Sequence, residues 1–319
     1  MHVREMRRED RGAVLDLLEH AFRVRELFER YMDFDPAFAY GDYLLALDRD
    51  APVACVQIFD KTIRVRGTPV RLGGIGSVAT HSDYRGRGIS SDLLERAIER
   101  MRARRMWLSL LFAAPVAPLY EKLGWRKLPA PLMRLTAAGG ASAPRVSPGR
   151  AFRPEDLWQV SGLYESYCEP LSGPTVRDAR YWRGQLRTAG TPDEEFRVAE
   201  RDGAIVAYAR AASFGGRVRA LEYARDPSAA DELAELLAAN ARGPHALLAP
   251  LVPDRELANA LERRGIAISL ARDPSPMWRV LDRAPLARLA ALPDSASDAD
   301  LLAALVGGPS ATYWTSDRF

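Results

Sequence analysis

The sequence predicts two α/β domains in tandem, each with a mixed sheet, followed by a short helical tail. Three observations predict this. Strands and helices alternate up to about residue 138, each with its own apolar spacing. Residues 138–150, AGGASAPRVSPGR, have almost nothing to bury and read as a linker. After them a similar order of elements recurs. The expected division is a first domain over 1–138, a linker over 139–150, a second domain over 151–283 and a tail over 284–319.

Each element has a local reason. Residues 1–6 form a short strand, and 8–22 place Val14, Leu17, Leu18 and Phe22 at helical spacing. A second helix covers 25–32. Residues 42–48 and 52–59 are apolar strands around the turn Arg49–Asp50–Ala51. Residues 61–80 alternate, turn at Gly67–Thr68 and return as a buried strand. Residues 90–104 form an amphipathic helix, and 106–113 a buried strand. A short helix at 116–125 stops at Gly124, and 126–137 closes the first domain's sheet.

In the second half, 196–212 matches the strand pair at 43–58, and 226–242 stands where 83–104 stood. Residues 245–266 parallel 108–125, and PMWRVLD at 276–282 parallels PLMRLT at 131–136. A diverged copy explains this better than two unrelated α/β domains. The copy lacks the polar chemistry, with Leu261 where the first half has Tyr120. In the tail, 297–308 is one capped helix, and Tyr313, Trp314 and Phe319 follow it. A disordered tail would not normally carry three aromatics, so it should dock.

Composition narrows the classes. The chain has 319 residues, 47% hydrophobic and 27% charged, as in a globular protein. A net charge of +3 implies neither nucleic-acid nor membrane binding. Cys55 and Cys168 make no Cys-x-x-Cys pair, and His2, His20, His81 and His245 show no metal-ligand spacing. No run is long enough to span a bilayer, and no apolar segment follows the charged N-terminus, so a cytoplasmic location is expected. A homo-oligomer stays open.

The informative stretch is DYRGRGISSD, 83–92, between a buried strand and a helix. The first turn of a helix leaves backbone N–H groups unpaired at its positive end. Gly86 and Gly88 remove side chains that would shield those amides, and Arg85 and Arg87 add charge. This suits a phosphate or pyrophosphate. A dinucleotide fold wants a third glycine where Ser91 stands and an acidic residue where RARRMW follows. A P-loop wants Gly-Lys-Ser/Thr, which is absent. A third reading is the coenzyme A pyrophosphate loop of an acyltransferase, and the plain alternative is a tight connection with solvated arginines.

VATHSDYRGRGIS, 78–90, resembles the Arg/Gln-x-x-Gly-x-Gly/Ala signature of the GCN5-related N-acetyltransferase superfamily. Arg85, Gly88 and Ser90 stand at its defined positions, Ser90 departing from the usual Gly or Ala. PLYEKLGW, 118–125, is similar to a later motif of the same superfamily. The tandem layout resembles the enhanced-intracellular-survival type, strongly over 1–136 and weakly over 151–283. Those proteins carry a sterol-carrier-like third domain, whereas some 35 residues follow the second copy here.

The resemblance implies two acyl-CoA N-acyltransferase-like domains with mixed, mostly antiparallel sheets, the second degenerate. It implies acetyl-CoA as cosubstrate, no metal, and an amine-bearing small molecule or peptide as acceptor. Val78, Ala79 and Thr80 would pair with the pantetheine arm, and the backbone of Arg85, Gly86, Arg87, Gly88, Ile89, Ser90 and Ser91 would hold the pyrophosphate. Tyr120 would be the acid for the leaving thiolate, and the α-carboxylate of Phe319, the last residue, the base. Asp317 and His81 are fallback bases, and neither cysteine is a convincing nucleophile. Phe22, Phe28, Tyr31 and Phe34 would sit over the acceptor side, where Asp33 and Asp35 would favour a cationic amine. The alternative is a non-catalytic acyl-CoA sensor or small-molecule binding protein.

Overall fold

A computed structural model describes residues 1–113, 116–137, 149–189, 194–214, 216–241 and 246–319. Most of the expected linker, 139–148, lies outside the described residues. The first half supplies β1 (His2–Glu5), α1 (Arg11–Phe22), α2 (Arg25–Phe34), β2 (Tyr43–Asp48), β3 (Ala51–Val65), β4 (Thr68–Thr80), α3 (Ile89–Ala103), β5 (Leu108–Phe112), α4 (Ala117–Lys122), β6 (Arg126–Lys127) and β7 (Ala130–Ala137). The second half supplies β8 (Arg150–Ala151), α5 (Leu157–Cys168), α6 (Ala179–Ala189), β9 (Glu195–Arg201), β10 (Ala204–Phe214), β11 (Arg217–Arg225), α7 (Ala230–Asn240), β12 (Leu247–Pro250), α8 (Arg255–Arg263), β13 (Ile266–Asp273) and β14 (Pro276–Val280). The tail adds α9 (Arg283–Ala290) and α10 (Asp298–Val306).

Two sheets result, in the orders β1-β2-β3-β4-β5-β14-β6 and β13-β7-β12-β11-β10-β9-β8. Each has one parallel pair, β4 with β5 and β11 with β12, and the other neighbours run antiparallel. The mixed, mostly antiparallel class therefore holds for both. The β3–β4 hairpin turns at Arg66–Gly67, one residue earlier than expected. Both have positive φ, 48° and 78°, as a two-residue turn matched to strand twist requires.

The last strand of each half is exchanged. β7, expected to close the first sheet, pairs with β12 and β13 in the second. β14 takes the reciprocal place, between β5 and β6 of the first. The break at Leu128–Pro129 makes this geometrically simple. It ends β6 after two residues and sends the chain to the other sheet. A boundary at 138 therefore follows the chain but not the sheets. β13 is a further strand, beyond those that the sequence pattern predicts.

Period-2 alternation sorts side chains to the two faces of the first sheet. Ala54, Val56 and Ile58 of β3 meet Leu93, Leu94, Ala97, Ile98 and Met101 of α3. The opposite face is shared. Val14, Leu15 and Leu18 of α1 cover Tyr43, Leu45 and Cys55, while α9 and α10 cover Leu72, Leu108 and Trp278. The second sheet has one core, closed by α5, α7 and α8.

Candidate active site

A gap opens inside the first sheet. β4 and β5 pair only over Leu72–Gly74 and Leu108–Leu110. Beyond that point β4 continues to Thr80 with its edge toward β5 unpaired. A backbone bulge helps to turn it away: the register with β3 shifts between Cys55 and Gln57, and Ser77 has a φ of 50°. Buried hydrogen bonds hold the bulge. Tyr43 donates its hydroxyl to Ser77 Oγ at 3.1 Å, Ser77 donates on to Gln57 Oε1 at 2.9 Å, and Cys55 donates its thiol to the Ser77 carbonyl at 3.2 Å. Burial pushes the Cys55 and Cys168 thiols up to about 12, so neither is a thiolate at neutral pH.

The glycine turn closes one end of the gap. Gly86 and Gly88 have φ of 75° and 77°, conformations that a side chain would strain. Gly88 precedes α3, and no side chain caps that helix. Arg85 Nε donates to the Thr80 carbonyl at 3.2 Å, Arg87 donates to the Asp83 carbonyl at 2.7 Å, and Thr80 Oγ1 and Ser90 Oγ are 2.6 Å apart. Thr80, Arg85, Gly86, Arg87, Gly88, Ile89, Ser90 and Ser91 line a depression of about 280 Å³.

That depression runs into a larger cavity of about 710 Å³, with Thr80, Arg85 and Ser90 common to both. Val78, Ala79, Tyr120 and Phe319 line the larger one, together with Phe22 and Phe28. Val78, Ala79, Thr80, Tyr120, Phe319 and the residues of the glycine turn from Arg85 to Ser91 thus border these two adjoining spaces, whereas the fallback bases Asp317 and His81 line neither. Tyr120 is buried on α4, with its ring edge-on to Trp125 at 6.1 Å. No hydrogen bond to its hydroxyl is found among the described residues. Burial pushes its pKa up to about 12, so it stays protonated at neutral pH.

Phe319 lies at the other end of the gap. Its ring stacks on Phe59 at 4.9 Å and packs against Phe112 at 5.6 Å. A Cβ at Gly74 would overlap that ring, and one at Gly76 would stand 3.4 Å from the Phe319 carbonyl carbon. Both glycines make room for the tail. On its far side Phe319 borders a second cavity of about 250 Å³, between the halves, lined also by Tyr31, Asp35, Lys61, Tyr181 and Leu221.

Residues 2–128 match the model of the acetyltransferase (GNAT) domain. The N-terminal domain is a GNAT domain. By family it is an acyltransferase domain. No curated protein matches the chain in sequence. Among solved structures, a GCN5-related N-acetyltransferase from Anabaena variabilis superposes with a TM-score of 0.69 at 16% identity, covering 89% of this chain and 74% of its own. One from Kribbella flavida gives 0.63 at 20%, covering 91% and 72%. Eis1 from Mycobacterium abscessus gives 0.61 at 17%, covering 90% and 75%. The tandem fold, second half included, is therefore that of these longer chains.

The second half holds the tail against the GNAT domain. Arg177, fully buried, donates to Glu222 at 2.6 Å and to Asp317 at 2.8 Å. Tyr181 donates to Asp317 at 3.0 Å, Gln185 to the Ser316 carbonyl at 2.8 Å, and Ser316 to Glu222. Arg318 pairs with Asp273 on β13. Burial alone would raise the Glu222 pKa, but Arg177 and Arg210 outweigh it and hold it at about 2. None of these second-half residues carries a local motif.

Several candidates from the acceptor side and the tail sit elsewhere or are engaged. Asp317 is locked in the Arg177 pair, so it is not a ready base. His81 stacks on His20 at 4.6 Å and accepts the Asp83 amide at 3.4 Å in the turn after β4. Asp33 pairs with Arg11 at 2.8 Å and borders neither cavity. Phe34 packs under the Arg187 guanidinium at 4.0 Å, against α6. Tyr31 does border both cavities, while Phe22 and Phe28 face the larger one only. Among the described residues no helix is long and apolar enough to cross a membrane.

Proposed function

We propose that this chain transfers an acetyl group from acetyl-CoA to a primary amine of a small molecule or peptide, by direct attack in a ternary complex. The observation that carries the reading is the single open gap between β4 and β5. It runs from the glycine turn past Tyr120 to Phe319.

The roles follow from position. The amides of Gly86 to Ser91, with Arg85 and Arg87, hold the pyrophosphate at the positive end of α3. The free β4 edge at Val78, Ala79 and Thr80 pairs with the pantetheine arm and polarises the thioester carbonyl. The amine nitrogen attacks the carbonyl carbon and the C–S bond breaks. Tyr120, still protonated at neutral pH, gives its proton to the leaving sulfur. The Phe319 carboxylate, beside Gly76, takes the proton that the amine loses. That role requires Phe319 to be the natural C-terminus, which the intact mass of the protein from its own cells checks. Cys55 and Cys168 are buried thiols away from these roles.

Steady-state kinetics test this. Tyr120→Phe, and separately a short C-terminal extension, should each lower kcat at least tenfold while coenzyme A binding by calorimetry persists. A sensor would be indifferent to both, and unchanged turnover would end the catalytic assignment. Replacing Arg85 and Arg87 together with Ala should raise the KM for acetyl-CoA. An unmoved KM removes the pyrophosphate from this turn.

A further inference from the structure

The cavity on the far side of Phe319 has a definite chemistry. Its walls are Leu27, Tyr31, Phe59, Tyr181 and Leu221, so most of the surface that a ligand would meet is aromatic or aliphatic. Its charged groups are already neutralised by neighbours. Lys61 lies 3.4 Å from Asp35 and also donates to Tyr181 at 3.2 Å. Asp317 is held by Arg177 and Tyr181, and Arg318 by Asp273. Gln185 is used at both ends, by the Ser316 carbonyl and by Arg210. Among the described residues the Tyr31 hydroxyl has no hydrogen-bond partner, so it is one free polar handle on an apolar wall. The volume, about 250 Å³, is below the roughly 300–1,000 Å³ that drug-sized ligands fill.

We infer that the acceptor is a small monoamine carried on a flat apolar body, of the arylalkylamine class, and not a polycation. The inference rests on the acyl-transfer reading above and names its second substrate. One ammonium can face the Phe319 carboxylate. Further ammonium groups would be buried against Leu27, Phe59 and Leu221 with no free carboxylate, because Asp35 and Asp317 are taken. A sugar polyol fares no better, since it would lose its water for walls that return few hydrogen bonds. A ring, by contrast, meets the faces and edges of Tyr31, Phe59 and Tyr181.

Turnover with acetyl-CoA should be measured for phenethylamine, tyramine, spermidine, an aminoglycoside and a lysine peptide. Phenethylamine and tyramine should exceed the others at least tenfold in kcat/KM. Leu27→Glu, at the partly exposed mouth of the cavity, should narrow that margin in favour of spermidine. Calorimetry of phenethylamine on protein saturated with coenzyme A separates the two readings. Binding without turnover of any amine supports the pocket assignment and overturns acyl transfer. Turnover of spermidine or the aminoglycoside above phenethylamine overturns the monoamine class and leaves acyl transfer standing. Absence of both binding and turnover of the arylalkylamines overturns the inference outright.

Discussion

The two halves share a fold and differ at the same two places. In the first, the strand before the long helix ends in a glycine turn, and the edge of β4 is left open. In the second, β11 ends in Arg225, which folds over the corresponding turn. Its guanidinium reaches Asp254 with two bonds of 2.8 Å, Glu256 at 2.9 Å and the backbone of Asp226 and Pro227. Where the first half leaves an opening beside β5, the second bridges it: Tyr223 donates to the Pro250 carbonyl across β11 and β12 at 2.6 Å. Trp314 then packs edge-on against Tyr223 at 5.1 Å. The same tail therefore fills the gap of one half and, five residues on, borders the gap of the other. The second half serves as a mount for the tail.

The sharpest way to break this division of labour is Arg177→Met. It would leave Asp317 buried without its cation and Glu222 with Arg210 alone, and breaking a buried pair costs about 3–5 kcal/mol in comparable cases. Chemical denaturation should show that loss. Activity should fall well beyond the unfolded fraction, because the tail is no longer held. Arg177→Lys should recover part of both. If kcat survives Arg177→Met, the Arg177 pair is not what holds Phe319, and the Asp273 and Gln185 contacts to the tail carry that role.

Gly74→Ala attacks the same arrangement from the GNAT side. The added methyl overlaps the Phe319 ring and should expel the tail. We expect about 1–3 kcal/mol of overpacking cost, a kcat at least tenfold lower and little change in coenzyme A affinity. Equal loss of affinity and turnover would mean that the ring, not its carboxyl end, matters. The smallest effect is on pH dependence. Glu222 is held at about 2 in the folded protein, against an ordinary 4.5. Its contribution is complete above the ordinary value and fades as pH falls from about 4.5 toward 2. Glu222→Gln should lower stability overall and flatten the acid limb of a melting-temperature profile in that window. An unchanged slope there would remove Glu222 from the acid response.

What was legible in the sequence was local. Gly86, Gly88 and the apolar spacing of α3 are neighbours in the chain, and Tyr120 stands in a helix ended by Gly124, so short-range patterns reach them. The strand exchange was not legible. β7 and β14 have similar sequences and would fit either sheet by periodicity, since pairing depends on where Leu128–Pro129 sends the chain. The bulge was equally hidden: Tyr43, Ser77 and Gln57 meet only after three strands have paired. Arg177 and Glu222 are 45 residues apart, and nothing in either neighbourhood marks them as partners.

The exchange of β7 and β14 also bears on inheritance. Neither half is a portable module. A recombination point between residues 137 and 149 would carry away one sheet's strand and leave a slot between β5 and β6, or between β12 and β13, lined with unpaired backbone. The two halves must therefore be kept or lost together.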